Sequence, residues 1–211
     1  MVKYFYLHGF ASGVNSAKAE FFKKKFADIG IKLECLDLNG DDFSKFTLSK
    51  VINNLKIKFA NYDQVTLIGS SMGGLISLNL AETMPNIKKI VLLAPALEFN
   101  SHWDKLVGND NLIKWEEDGS LPIYNTGLKK EFLLHYNFYL DMQTIKDRGF
   151  NTDGVKIINF HGIHDKTIPV ESSHNFNASN QVVLHELDSD HALTDVLPLI
   201  WLKAERFIIE E

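Results

Sequence analysis

Six short apolar runs constrain this chain most: Lys3 to Leu7, Lys32 to Leu36, Gln64 to Ile68, Lys89 to Leu93, Lys156 to Phe160 and Gln181 to Leu187. Most are rich in Val, Ile, Leu or Phe with little polar alternation, the pattern of strands covered on both faces. The last alternates more, with His185 and Glu186 among apolar residues. Helical patterns lie between the runs. Ser16 is placed to cap a helix over Ala17 to Ile29, which Gly30 ends. A second fits Leu48 to Ala60, with Leu48, Val51, Ile52, Leu55 and Phe59 on one face. Others are predicted from Met72 to about Thr83, from near Pro169, and from about Ala192 to Ile209. Strand–helix alternation predicts an α/β fold: right-handed crossovers and a mostly parallel six-stranded sheet flanked by helices.

One stretch breaks the rhythm. Residues 95–155 are far too long for a simple crossover. They are predicted to form a cap insertion of helix, β-hairpin and helix within a single domain, whose core is 1–94 and 156–211. Trp115 to Leu121 carries a hairpin signature with Asp118-Gly119 as the turn. Pro122 would place the second strand at an edge. Leu128, Phe132, His135, Tyr139 and Met142 then fall on one helical face.

Composition excludes several classes. With 211 residues, 45% hydrophobic and 23% charged, the chain can bury a sizeable core unaided by disulfide or metal. The formal net charge of -5, with signs mixed along the sequence, is no footprint for nucleic acid. No apolar run is long enough to span a bilayer. Cys35 is the single cysteine, so no intramolecular disulfide forms. Met1-Val2-Lys3 leads straight into Tyr4 to Leu7, with no signal-peptide pattern, so the expected compartment is the cytoplasm. A monomer or homodimer is expected.

The strongest local signal is Gly69-Ser70-Ser71-Met72-Gly73, which reads G-x-S-x-G where a predicted strand ends and a predicted helix begins. Reversing the chain within about one residue brings the positions two before and two after the serine close together, so both must be small. Ser71 has glycine at both; for Ser70 those positions would be Ile68 and Met72. Ser71 is thereby the candidate nucleophile, with the Met72 N–H at a helix N-terminus where unpaired donors favour an anion. His8-Gly9-Phe10 follows the first strand. A tetrahedral intermediate needs two donors aimed at its oxygen, and the Phe10 N–H is the candidate second member of the oxyanion hole beside Met72.

The fifth strand ends in Phe160-His161-Gly162-Ile163-His164-Asp165 and the sixth is followed by Asp188-Ser189-Asp190-His191. His191 is the candidate base and Asp165 the candidate orienting acid, in the chain order Ser, Asp, His. Asp190 directly precedes His191 and is badly placed to meet its ring; a loop or cap role fits it better. His161 and His164 invite a metal reading, but in a strand they would face opposite sides, with no compact group of further ligands. Neither metal nor cofactor is expected.

On these residues the chain resembles the α/β-hydrolase superfamily, and within it the small bacterial YqiA-like esterases. The shared pattern is an HGF loop (His8-Gly9-Phe10), the Ser71 elbow, an HG-x-x-D loop (His161 to Asp165) and a late histidine, His191. The resemblance implies strand order 2-1-3-4-5-6, without the first two strands of larger members. The switch point between the first and third strands would bring the oxyanion loop beside the elbow. It also implies a serine hydrolase of ester or thioester bonds in small acyl substrates. The insertion would lie over the mouth of the site, with Trp103, Trp115 and Tyr136 as candidate substrate-binding residues. The same three side chains can also serve acyl transfer or carbon–carbon bond hydrolysis, and the fold can serve as a non-catalytic binding module.

Overall fold

The computed structural model describes residues 2–180 and 182–210. Its central sheet contains β1 (Val2–Leu7), β2 (Leu33–Leu36), β3 (Gln64–Ser70), β4 (Ile87–Leu93), β7 (Lys156–Gly162) and β8 (Val183–Leu187), all parallel, in the order β2-β1-β3-β4-β7-β8. With the hairpin strands β5 (Ser120–Asn125) and β6 (Lys130–His135) set aside, this is the expected order. Gln181, the expected start of the last strand, lies outside the described residues. The helices are α1 (Ala17–Asp28), α2 (Leu48–Phe59), α3 (Met72–Ala81), α4 (Phe99–Val107), α5 (Asn109–Asp118), α6 (Asn137–Thr144), α7 (Val170–Asn180) and α8 (Leu197–Ile209). Residues 192–196 precede α8 as loop, so the last helix is shorter than its apolar pattern suggested.

The near-continuous apolar strands are explained by two cores, one on each face of the sheet. Successive side chains of a strand point to opposite faces. Thus Phe5, Leu7, Leu67, Leu92 and Ile157 join α2, α3 and the segment between β4 and β7. Tyr6, Ile68, Val91, Ile158 and Phe160 meet α1 and α8 through Phe22, Phe26 and Trp201. Helix α3 is buried almost all round, with Leu75, Ile76, Leu78 and Leu80 inside. The element that follows Ser71 is therefore held on every side, as a rigid platform requires. Among the described residues no helix is long and apolar enough to cross a membrane.

The segment between β4 and β7 differs from expectation in one instructive way. Trp115 to Asp118 ends helix α5, and Gly119 caps it at φ 72°. The hairpin starts only at Ser120 and turns at 126–129. Phe132 and His135 lie in β6 and Leu128 in the turn, so the helical face expected over Leu128 to Met142 shrinks to Asn137–Thr144. Two helices, not one, precede the hairpin. Pro122 sits opposite Leu133 in a two-stranded sheet, where both strands are edges.

Candidate active site

Ser71 sits between β3 and α3 at φ 51°, ψ -117°, a conformation L residues rarely adopt. The glycines around it permit this turn. A Cβ on Gly69 would lie 2.6 Å from the Gly73 carbonyl oxygen and 2.7 Å from Gly74 Cα. A Cβ on Gly73 would lie 2.1 Å from the Leu7 carbonyl oxygen. The second glycine thus makes room for the end of β1, drawing the following loop against the elbow. Gly9 completes this approach, its absent Cβ being 3.4 Å from Ser71 Cβ.

His8 ties down the other side of that loop. Its Nε2 accepts the Leu38 N–H at 3.0 Å and its Nδ1 donates to the Gly9 carbonyl at 2.8 Å, which fixes the tautomer. The Phe10 ring is inserted among Phe43, Phe46, Phe138 and Trp103, with centroids 5.1–5.9 Å away. Among the described residues neither the Phe10 nor the Met72 N–H has a hydrogen-bond acceptor in the protein.

The three distant side chains meet at the carboxyl ends of the strands. His191 Nε2 is 3.0 Å from Ser71 Oγ, and His191 Nδ1 is 2.6 Å from Asp165 Oδ2. The Thr167 and Ile168 N–H groups donate to Asp165 Oδ1 at 2.8 and 2.9 Å. Burial alone would raise the Asp165 carboxyl; hydrogen bonds from His161 and His191 outweigh it and hold the group well below the usual carboxylate range. Gly162 lets the histidine loop close, since a Cβ there would be 2.4 Å from the Ser189 carbonyl oxygen. Asp190 accepts the Ala192 N–H at 2.8 Å, the loop role expected for it.

Other expected residues fall differently. Trp115 is fully buried and donates its Nε1–H to the Leu134 carbonyl at 2.8 Å. It anchors the hairpin on α5 and is out of a substrate's reach, which corrects the binding role expected for it. Trp103 is packed edge-on against Phe10 at 5.2 Å, beside the loop after β1. Tyr136 is half-buried and stacks on Tyr139 at 5.4 Å. His164 lies beyond β7 and pairs with Asp188 at 2.8 Å on the surface. Among the described residues no three His, Cys, Asp or Glu side chains form a group able to hold a metal ion.

Two supports carry no local mark in the sequence. Lys18, on the first turn of α1, donates to the Ala192 carbonyl at 2.9 Å, beside His191. Burial lowers it to about 8, against the opposing pull of Asp165 and Asp190. The hairpin turn is the second. The Thr126 N–H and Oγ1–H both donate to the Ala11 carbonyl at 2.8 Å. Asn39 donates to the Ser12 carbonyl at 2.8 Å, and buried Asn125 donates to Asn39 at 2.9 Å. Long-range pairings of this kind leave no local signature.

The model of the uncharacterised protein family UPF0227 matches residues 3–206. No curated protein matches the chain. Among solved structures, a proposed hydrolase from Agrobacterium vitis S4 superposes with TM-score 0.84 at 22% identity, over 99% of this chain and 88% of that one. Est1E from Butyrivibrio proteoclasticus with ferulic acid bound gives 0.81 at 20%, over 99% and 88%. Alpha/beta hydrolase domain-containing protein 10 from mouse gives 0.76 at 16%, over 98% and 88%. At these identities the likeness is one of fold, and the fold is that of the α/β hydrolases.

Proposed function

Because the chain belongs to the uncharacterised protein family UPF0227 and has the α/β-hydrolase fold, we propose that it is a serine hydrolase acting on carboxylic ester or thioester bonds of small acyl substrates. The 3.0 Å contact from Ser71 Oγ to His191 Nε2, with Asp165 behind the ring, supports this most directly. Ser71 Oγ attacks the carbonyl carbon while its proton passes to His191 Nε2. The carbonyl oxygen becomes an oxyanion that accepts the Phe10 and Met72 N–H groups. The intermediate collapses to an acyl-serine as His191 returns the proton to the leaving alkoxide or thiolate. Water, deprotonated by the same imidazole, then releases the acid. The Est1E structure, with ferulic acid bound, supports aromatic acids as a first acyl class to try.

A fluorophosphonate probe tests the nucleophile. The expected result is one adduct per chain on the peptide containing Ser71, together with turnover of p-nitrophenyl acetate or a short acyl-CoA. An unlabelled, folded protein inert to both substrates would refute the reading.

The hairpin seam carries a separate expectation. A Cβ on Gly127 would be 2.2 Å from the Ser12 carbonyl oxygen and 2.7 Å from the Gly13 nitrogen, so Gly127→Ala must push the oxyanion loop. A displacement near 1 Å costs about 100-fold in rate. We expect kcat to fall by about that factor with KM little changed, in steady-state kinetics on p-nitrophenyl acetate. An unaltered kcat would detach the hairpin from the chemistry.

A further inference from the structure

His161 is fully buried on β7 and takes no part in the proton transfers described above. Its surroundings define its protonation. Nε2 faces two acceptors, Asp165 Oδ2 at 3.1 Å and the Ile168 carbonyl at 2.9 Å, so this nitrogen carries a proton. Nδ1 faces Ser173 Oγ on α7 at 2.7 Å. The Asn159 side-chain N–H donates to the same Ser173 oxygen at 3.0 Å, and a second donation runs from Asn159 to Asn177 at 3.1 Å. Among the described residues the Ser173 hydroxyl has no other acceptor, so its proton is directed to His161 Nδ1, which fixes the ring with its own hydrogen on Nε2. Asp165 Oδ2 thus lies between two ring N–H groups, His191 on the reacting side and His161 behind it. The two backbone donors on Oδ1 complete the set and lock the carboxylate plane. Ser173 and Asn159 are also fully buried, so the chain of donors behind the acid is closed to bulk water.

We propose that His161, held as the Nε2–H tautomer by Ser173, is a positioning residue that fixes the Asp165 carboxylate against His191 and shares its negative charge. This rests on Ser71, Asp165 and His191 acting as assigned above. The charge sharing has a definite sign. With one donor fewer, Asp165 presents more negative charge to His191 and favours the imidazolium. The neutral base is then reached only at higher pH. Lys18 on α1 and His102 on α4 also lie within electrostatic reach of Asp165, and neither is altered by the variants below.

The test compares His161→Leu, His161→Gln and Ser173→Ala with the wild type, using p-nitrophenyl acetate from pH 5 to 9 and thermal unfolding. His161→Leu is expected to lower kcat about 10- to 100-fold through misplacement of the acid. It should also move the acid limb of kcat/KM to higher pH by about half a unit. Ser173→Ala, which frees the tautomer, should move both in the same directions by less. His161→Gln keeps an N–H close to the former Nε2 and should restore the acid limb and most of kcat. The proposal is overturned if folded His161→Leu keeps wild-type kcat and acid limb. It is equally overturned if Leu and Gln are equally impaired with the limb unmoved, the mark of lost packing alone. Should His161→Leu fail to fold, an unchanged Ser173→Ala profile overturns it. Wild-type turnover and Ser71 labelling are read in the same series, so failure of the hydrolase assignment is seen separately.

Discussion

Ser71→Ala is expected to lower kcat about 10⁵- to 10⁶-fold on any ester the wild type turns over, and to abolish labelling by a fluorophosphonate. The size of the effect follows from what is left. On the proposed mechanism no acyl-enzyme forms without the Oγ, and only binding and the Phe10 and Met72 donors would remain, which sustain a rate about 10³- to 10⁴-fold over water in serine hydrolases. The substitution leaves the fold intact because alanine keeps the Cβ at φ 51° and removes one oxygen. Ser70→Ala is the natural control. Ser70 is the last residue of β3 and is buried, so its loss should leave labelling untouched. A Ser71→Ala enzyme that retained a tenth of its activity would remove this residue from the chemistry.

Asp165→Asn is the second large effect, about 10⁴-fold in kcat. The local hydrogen bonds dictate why. Oδ1 accepts two backbone N–H groups, so an asparagine must put its carbonyl oxygen there and turn its NH₂ toward His191 Nδ1. That forces the proton of His191 onto Nε2, where it can no longer accept from Ser71. The same NH₂ confronts the N–H of His161. Steady-state kinetics on the folded variant measures the loss; a kcat within tenfold of the wild type would mean that another carboxylate orients the ring. Stability carries a matching signature. Asp165 is depressed in the folded protein, so its contribution is present above the unfolded carboxylate value of about 3.9 and is lost as pH falls below it. Denaturant melts from pH 6 to pH 3 should therefore be flatter for Asp165→Asn than for the wild type.

Much of this is legible in the sequence. The six strands follow from apolar runs spaced by helical patterns, their order from the resemblance to the α/β hydrolases, and the elbow from glycines that only one serine frame satisfies. The misreadings have physical causes. Asp118-Gly119 reads as a hairpin turn because glycine at positive φ serves a type I′ turn and a helix C-terminus equally well. Phe132, His135 and Tyr139 matched a helical period by accident; Leu134 is the buried residue of β6, and its exposed neighbours Leu133 and His135 alternate about it. Trp115 carried no mark to separate an aromatic that packs from one that binds. The place of His161 behind Asp165 has no local mark in the sequence, since its partners Ser173 and Ile168 come close only once α7 folds onto β7.

The contact between the 126–129 turn and the loop after β1 has a consequence for how such a protein can change. Gly127 lies against Gly13, and the carbonyls of Ala11 and Ser12 are both claimed, by Thr126 and by Asn39, which Asn125 secures. Lengthening or reshaping that outer ribbon therefore disturbs the loop that carries Phe10. The hairpin turn and the loop after β1 are thereby one mechanical part, and neither can drift far without the other following.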